Sequence, residues 1–265
     1  MESGTKLNST LIKAFEIIQL IADHQGELGL DGICKRLNMN KTTVFRHIET
    51  LVYMNLLEKR EGSYFLGIGL FEMGSKVRIQ NLIIERIHLI FEKLAKDVNE
   101  TVNFAQISDD TALYLYKAES RRSLQLRVSI GAKLPLYCTA LGKAILSILD
   151  TERLDSLIAN LKMKKMTQYT VTDPVELMKK IDSVRDRGYS IDREEFDDGL
   201  VCVAVPIKIS ELGFIGGISI SGPINRFDDE RGHFLAQKLL ETRNEILDTL
   251  HHELGGFNDR GKMAR

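Results

Sequence analysis

Two groups of residues in this 265-residue chain have types and spacing that could do chemistry. The first begins Asn40-Lys41-Thr42-Thr43-Val44-Phe45-Arg46-His47. Lys41, Thr42, Thr43, Arg46 and His47 carry donors of the kinds that meet phosphates and base edges of DNA. From Lys35 to Ile48 the chain holds Lys35, Arg36, Lys41, Arg46 and His47 and no acid. Its net charge is −1, so nothing global points to nucleic acid. A local patch is enough for phosphate contacts. Lys59, Arg60 and Tyr64 stand nearby and are expected to touch the DNA backbone.

The second group lies beyond residue 130. Pro135-Leu136-Tyr137-Cys138-Thr139-Ala140-Leu141-Gly142-Lys143-Ala144 reads as a loop entering a helix through small residues. Amides at a helix N-terminus attract anions. Asp192, Glu194 and Glu195 end one expected strand, Cys202 lies on the next, and Gly216 to Pro223 holds Ser219 and Ser221. Two apart on a strand, the serine hydroxyls share a face, which suits a pocket wall. Small residues that ease packing, with serines bonded to backbone, explain the pattern equally well.

Other chemistry is less well supported. A nucleophilic Cys202 or Cys138 needs a base or a cationic neighbour. His233, His251 and His252, the histidines of this half, fall on one terminal helix. Asp192, Cys202 and the glutamate pair could ligate a metal, but no spaced His/Cys motif accompanies them. Neither a catalytic role nor a metal or cofactor is expected.

The elements that must position the first group are short. Ile33, Leu37, Val44, Ile48 and Leu51 recur at helical spacing over two segments, with Asn38, Met39 and Asn40 between. Asn40 suits the N-cap of the second helix. A tight turn between two such helices is the helix-turn-helix arrangement. Residues 56–60 and 63–66 then form two strands around Glu61-Gly62, a turn pair, which makes a winged helix. Ahead of it, Ser9 or Thr10 caps a first helix with Leu11, Ala14, Phe15, Ile18 and Ile21 as its apolar stripe. Gly67, Gly69 and Gly74 break the pattern before a connector helix from about Lys76 to Asn99.

The period then changes. Strands are expected over 101–107, 112–117, 124–128, 189–193, 201–207 and 214–220, and 131–136 as loop. Helices are expected over 139–149, 151–161, from the capped start Asp173-Pro174-Val175-Glu176 to Gly188, and from Asp228 to Leu250. The fold class is α+β. Its parts are a winged helix-turn-helix at 1–70, a linker helix at 71–99, a second domain at 100–255 and a disordered tail at 256–265.

Hydrophobic residues make up 43% of the chain and charged residues 28%, ordinary for a globular protein. The length suggests two domains. Three widely spaced cysteines form no disulfide framework and fit a reducing, cytoplasmic setting. No signal peptide or spanning segment is apparent, so no membrane association is expected.

Several blocks together resemble the IclR family of bacterial transcriptional regulators. They are Lys41-Thr42-Thr43-Val44-Phe45-Arg46, 136–146, 188–195 with Gly199, 202–207, and Ser219-Ile220-Ser221-Gly222-Pro223. The resemblance runs from about Leu7 to Leu250. It implies a C-terminal effector-binding domain with a GAF-like α/β sheet, and a homodimer or homotetramer on double-stranded operator DNA. It implies regulation of a catabolic operon, in the repressor sense ahead of the activator sense. The effector it implies is a small carboxylate, keto acid or sugar acid. Its pocket maps onto the backbone amides of Ala140 and Leu141 and onto Asp192, Cys202, Ser219 and Ser221. Ala140-Leu141 is bulkier than the Gly-Ala of glyoxylate-responsive members. The stretch 127–146 looks most like regulators that respond to 2-keto-3-deoxygluconate. Control by the effector is expected to be a population shift that changes the spacing of two reading heads.

Overall fold

The computed structural model describes residues 7–24, 26–77, 83–119 and 128–260. The chain forms two compact units, Met1–Arg78 and Ile79–Arg265. The first holds α1 (Ser9–His24), α2 (Leu30–Leu37), α3 (Lys41–Tyr53), β1 (Leu57–Arg60), β2 (Ser63–Leu66) and α4 (Ile68–Gly74). Ile17, Ile21, Ile33, Val44, Ile48, Leu51, Leu57 and Tyr64 bury together as its core. Strands β1 and β2 pair antiparallel, Arg60 opposite Ser63. Glu61 and Gly62 between them both have positive φ, 48° and 86°, the two-residue hairpin geometry that matches strand twist.

Three local expectations for this unit need correcting. Asn8 caps α1, its Oδ1 accepting from the amides of Thr10 and Leu11 at 3.0 and 3.2 Å. Ile17 and Ile21 are the buried positions of α1, whereas Leu11 and Phe15 are 60% and 66% exposed. The apolar stripe is wide enough to be read at two rotations, and packing selects one. Gly67 and Gly69 do not end the regular structure. A side chain at Gly67 would lie 2.2 Å from the Asn55 carbonyl oxygen, and Gly69 N–H donates to that oxygen at 2.9 Å. Close approach is what these glycines provide, and α4 follows at once.

The second unit is built on one antiparallel sheet, ordered β5-β4-β3-β8-β7-β6. Its strands are β3 (Thr101–Ser108), β4 (Thr111–Ala118), β5 (Lys133–Pro135), β6 (Ser190–Arg193), β7 (Leu200–Ile209) and β8 (Phe214–Pro223). Helices α5 (Glu85–Val98) and α9 (Asp229–Arg260) cover one face, and α6 (Ala140–Ser147), α7 (Thr151–Asn160) and α8 (Pro174–Arg187) the other. Ile87, Phe91, Leu94 and Val98 of α5 bury against Val102, Phe104, Ile218 and Ile220. The helix expected as a connector therefore belongs, from Ile83 on, to this unit's core.

Lys133–Pro135 is a short edge strand on β4 inside the expected loop; three residues are too few to show a period. The expected strand at 124–128 falls mostly outside the described residues, as does the start of the connector. The last helix continues past Leu250 to Arg260, over residues expected to be tail. Elongating a formed helix adds one hydrogen bond per residue fixed and escapes the nucleation cost.

Registers sort the sheet residues by face, because directly opposed residues point the same way. Asp192 opposes Cys202, Cys202 opposes Ser221, and Ser221 opposes Thr101. Ser190, Ala204, Ser219 and Asn103 make a second row in the same way. Both rows lie under α6, while Val201, Val203 and Ile220 alternate to the α5–α9 side. One sheet face is thus mainly apolar, and the other carries buried polar groups.

Candidate functional site

The first unit presents α3. Asn38 closes α2 in the left-handed region at φ 51°, and Asn40 Oδ1 accepts from Thr43 N–H at 2.8 Å. This local chemistry sets the tight turn. Val44, Ile48 and Leu51 face the core, so Lys41, Thr42 and Arg46 are exposed and Thr43 and His47 half-buried. Lys41 bonds Asp31 of α2 at 2.8 Å, and that pairing holds its ammonium above the usual lysine range. The acid-free run was read from Lys35 onward, and Asp31 lies just outside it. Exposed pairs of this kind contribute little, so Lys41 can exchange its partner for a phosphate.

On the wing, Lys59 and Arg60 are exposed. Arg60 binds Glu58 with both Nε and Nη2, at 2.9 and 2.7 Å. Tyr64 is only 2% exposed and packs into the core. Its side chain is turned into the core rather than out to the surface where a DNA contact was expected. On a short strand one face must turn inward, and Tyr64 takes that face.

The second unit holds a cavity between the start of α6 and the polar sheet face. It is lined by Thr139, Ala140 and Leu141 with Asp192, Cys202 and Ser219, and walled by Tyr114, Leu134, Phe196 and Leu200. The cavity is tight, about 10 Å³, room for about one water molecule. The Thr139 hydroxyl accepts from Gly142 N–H at 3.0 Å, capping the third amide of α6. The Ala140 and Leu141 amides come before it and have no intrahelical partner. Five of the six expected pocket residues therefore converge. Ser221 is buried in the next row and does not line the cavity.

Asp192 is 1% exposed. Its Oδ1 accepts from Glu195 N–H at 2.7 Å, and its Oδ2 has no partner among the described residues. Burial, reinforced by the Glu195 carboxylate, pushes its carboxyl up to about 7 against the opposing pull of Lys143 and two backbone amides. Glu195 is held by Lys143 and Lys180, Nζ to Oε1 at 2.5 and 2.9 Å. Sequence reading did not single out Lys143, whose partner lies 52 positions away. It also missed Asn103, whose Nδ2 donates to Ser219 and Ser221 at 3.4 and 3.2 Å.

The cysteines are poor nucleophiles here. Burial pushes Cys138 up to about 12 and Cys202 well above the usual thiol range. His233 is engaged by the Tyr189 hydroxyl at 2.8 Å. Among the described residues no cluster of His, Cys, Asp and Glu could hold a metal ion, and no helix is long and apolar enough to cross a membrane.

The geometry has counterparts among known proteins. The transcriptional regulator KdgR of Dickeya chrysanthemi is 31% identical over 95% of this chain and 81% of its own. KdgR of Escherichia coli is 32% identical over 84% of this chain and 85% of its own. The crystal structure of Thermotoga maritima IclR is 29% identical, covers 91% of this chain and 98% of its own, and superposes with a TM-score of 0.71. An IclR homologue from Microbacterium hydrocarbonoxydans complexed with 4-hydroxybenzoate shares the fold, with a TM-score of 0.78 at 18% identity over 91% of this chain and 99% of its own. The model of the IclR helix-turn-helix domain matches residues 10–61, and that of the bacterial transcriptional regulator IclR C-terminal domain matches residues 77–247. With α3 and its wing in the first unit, and a polar cavity at α6 in the second, this chain belongs to the IclR family of transcriptional regulators.

Proposed function

We propose that this protein represses a catabolic operon and is controlled by a small keto, hydroxy or sugar acid bound in the α6 cavity. The observation that carries the reading is Asp192 Oδ2, a buried acceptor without a partner among the described residues, in one cavity with the two leading amides of α6. Donors and an acceptor in one cavity suit a ligand with both a carboxylate and a hydroxyl. The amides and Ser219 take the carboxylate, and Asp192 accepts from the hydroxyl. The likeness to two KdgR regulators favours a sugar acid as effector. At about 10 Å³ the cavity opens further as such an acid enters.

Lys41, Thr42, Thr43, Arg46 and His47 read the operator in the major groove, and Lys59 and Arg60 touch its backbone. The working form is a homodimer or homotetramer. Leu11, Ile12 and Phe15 of α1 support this, since they are large apolar residues left exposed on the first unit, and apolar surface of this kind marks interaction sites. The role is regulatory and not catalytic, performed in the cytoplasm without a cofactor.

A retardation assay on DNA from upstream of the protein's own gene and its neighbouring operons tests the DNA half. Arg46→Ala should weaken retention about 10- to 100-fold, the range for losing one base contact, with folding intact. Retention equal to wild type refutes the assignment of α3.

A further inference from the structure

Asn103 sits at the centre of the polar sheet face, 1% exposed and opposite Ser219 in the β3–β8 register. Its Nδ2 reaches Ser219 Oγ at 3.4 Å and Ser221 Oγ at 3.2 Å. Its Oδ1 has no hydrogen-bond partner among the described residues. A buried amide with one end unsatisfied costs stability. Packing alone does not explain it, because an apolar residue on this strand would avoid the cost.

A serine hydroxyl has one proton and two lone pairs. Once its oxygen accepts from Asn103, its own proton remains to be donated. Both serines are held in this sense by one amide group. Ser219 lines the cavity beside Ala140 and Leu141, so its proton adds to the donors offered by the helix start. Ser221 is oriented in the same way one row behind.

We propose that Asn103 is a positioning residue for effector selectivity: it fixes Ser219 and Ser221 as hydrogen-bond donors, so that the sheet side of the cavity accepts a carboxylate and discriminates against its uncharged amide. This inference rests on the acid-effector reading above. An anion held by donors from the helix and the sheet gains charge-assisted bonds on both sides. A neutral amide offers one acceptor oxygen and brings two protons that meet donors.

The test is isothermal titration of the full-length protein with pyruvate, glyoxylate and 2-keto-3-deoxygluconate, each beside its primary amide. Wild type, Asn103→Asp, Asn103→Ala and Ser219→Ala are compared. Asn103→Asp keeps the shape and reverses the hydrogen-bond sense, so both serines turn to donate to it. The preference for acid over amide should fall about tenfold or more, the scale of one hydrogen bond to a charged group. Asn103→Ala should lower it less, and it carries the test if Asn103→Asp does not fold. Equal losses for acid and amide, or no loss, overturn the inference. If wild type binds an acid and Ser219→Ala weakens it while both Asn103 variants bind as wild type, only the inference fails. If wild type binds none of the acids, the inference falls together with the acid-effector reading.

Discussion

Lys143 and Glu195 form a buried ion pair, Nζ to Oε1 at 2.5 Å, that ties α6 to the turn after Asp192. The helix that supplies the cavity's amides and the strand end that supplies its carboxylate are held to one another by opposite charges. Burying two charges is costly, and attraction offsets that cost only while both partners are present. Lys180 adds a second, half-exposed ammonium to the same oxygen.

Lys143→Met should therefore destabilise the protein by about 3–5 kcal/mol, the scale of breaking one side of a buried pair. Adding Glu195→Leu should restore much of the loss, because no buried charge is then left uncompensated and the half-exposed Lys180 ammonium can turn to water. Denaturant unfolding of the two variants measures this. A double variant no more stable than Lys143→Met contradicts the account.

The carboxyl of Asp192 gives a pH dependence with a definite sign. It is pushed up to about 7 by burial, with Glu195 adding to the effect, whereas in the unfolded chain it titrates near 4. Between those values the folded state holds a proton that the unfolded state lacks, so its contribution to stability falls as pH rises and is lowest above 7. Asp192→Asn removes this contribution. From pH 5 to pH 8, wild type should lose on the order of 3 kcal/mol relative to the variant. A difference in melting temperature that stays constant with pH would show that the carboxyl titrates normally.

Tyr64 distinguishes core from contact. Because its ring is buried in the first unit, Tyr64→Phe should leave DNA affinity as in wild type. Tyr64→Ala should cost about 3–5 kcal/mol of stability, the range for emptying a buried aromatic site. Loss of DNA affinity in a well-folded Tyr64→Phe variant would return Tyr64 to the interface.

Much of this was legible in the sequence where signals are local. Asn40 as N-cap, the positive-φ pair Glu61-Gly62 and the start at Asp173-Pro174 each depend on neighbours within four residues, and each holds in the structure. Five residues from four separate blocks line one cavity. What escaped depends on long-range pairing. Asn103 looks like any polar residue in a strand until β8 is laid beside β3, 116 positions away. Tyr64 looks like a wing donor until α1 packs on β2. The stripe of α1 has two readings until a partner surface selects Ile17 over Phe15.

The most direct test of the central claim is the binding isotherm of the protein on its own upstream DNA, by fluorescence anisotropy, with and without the acid that most raises its melting temperature. Three proteins are compared. Wild type should bind DNA and shift its affinity by about 5- to 150-fold on adding the acid, the usual range of coupling between two sites. Arg46→Ala should lose DNA affinity and keep the thermal response. Asp192→Asn should keep DNA affinity and lose the shift. An acid that binds wild type and leaves its DNA isotherm unmoved would contradict control through the α6 cavity.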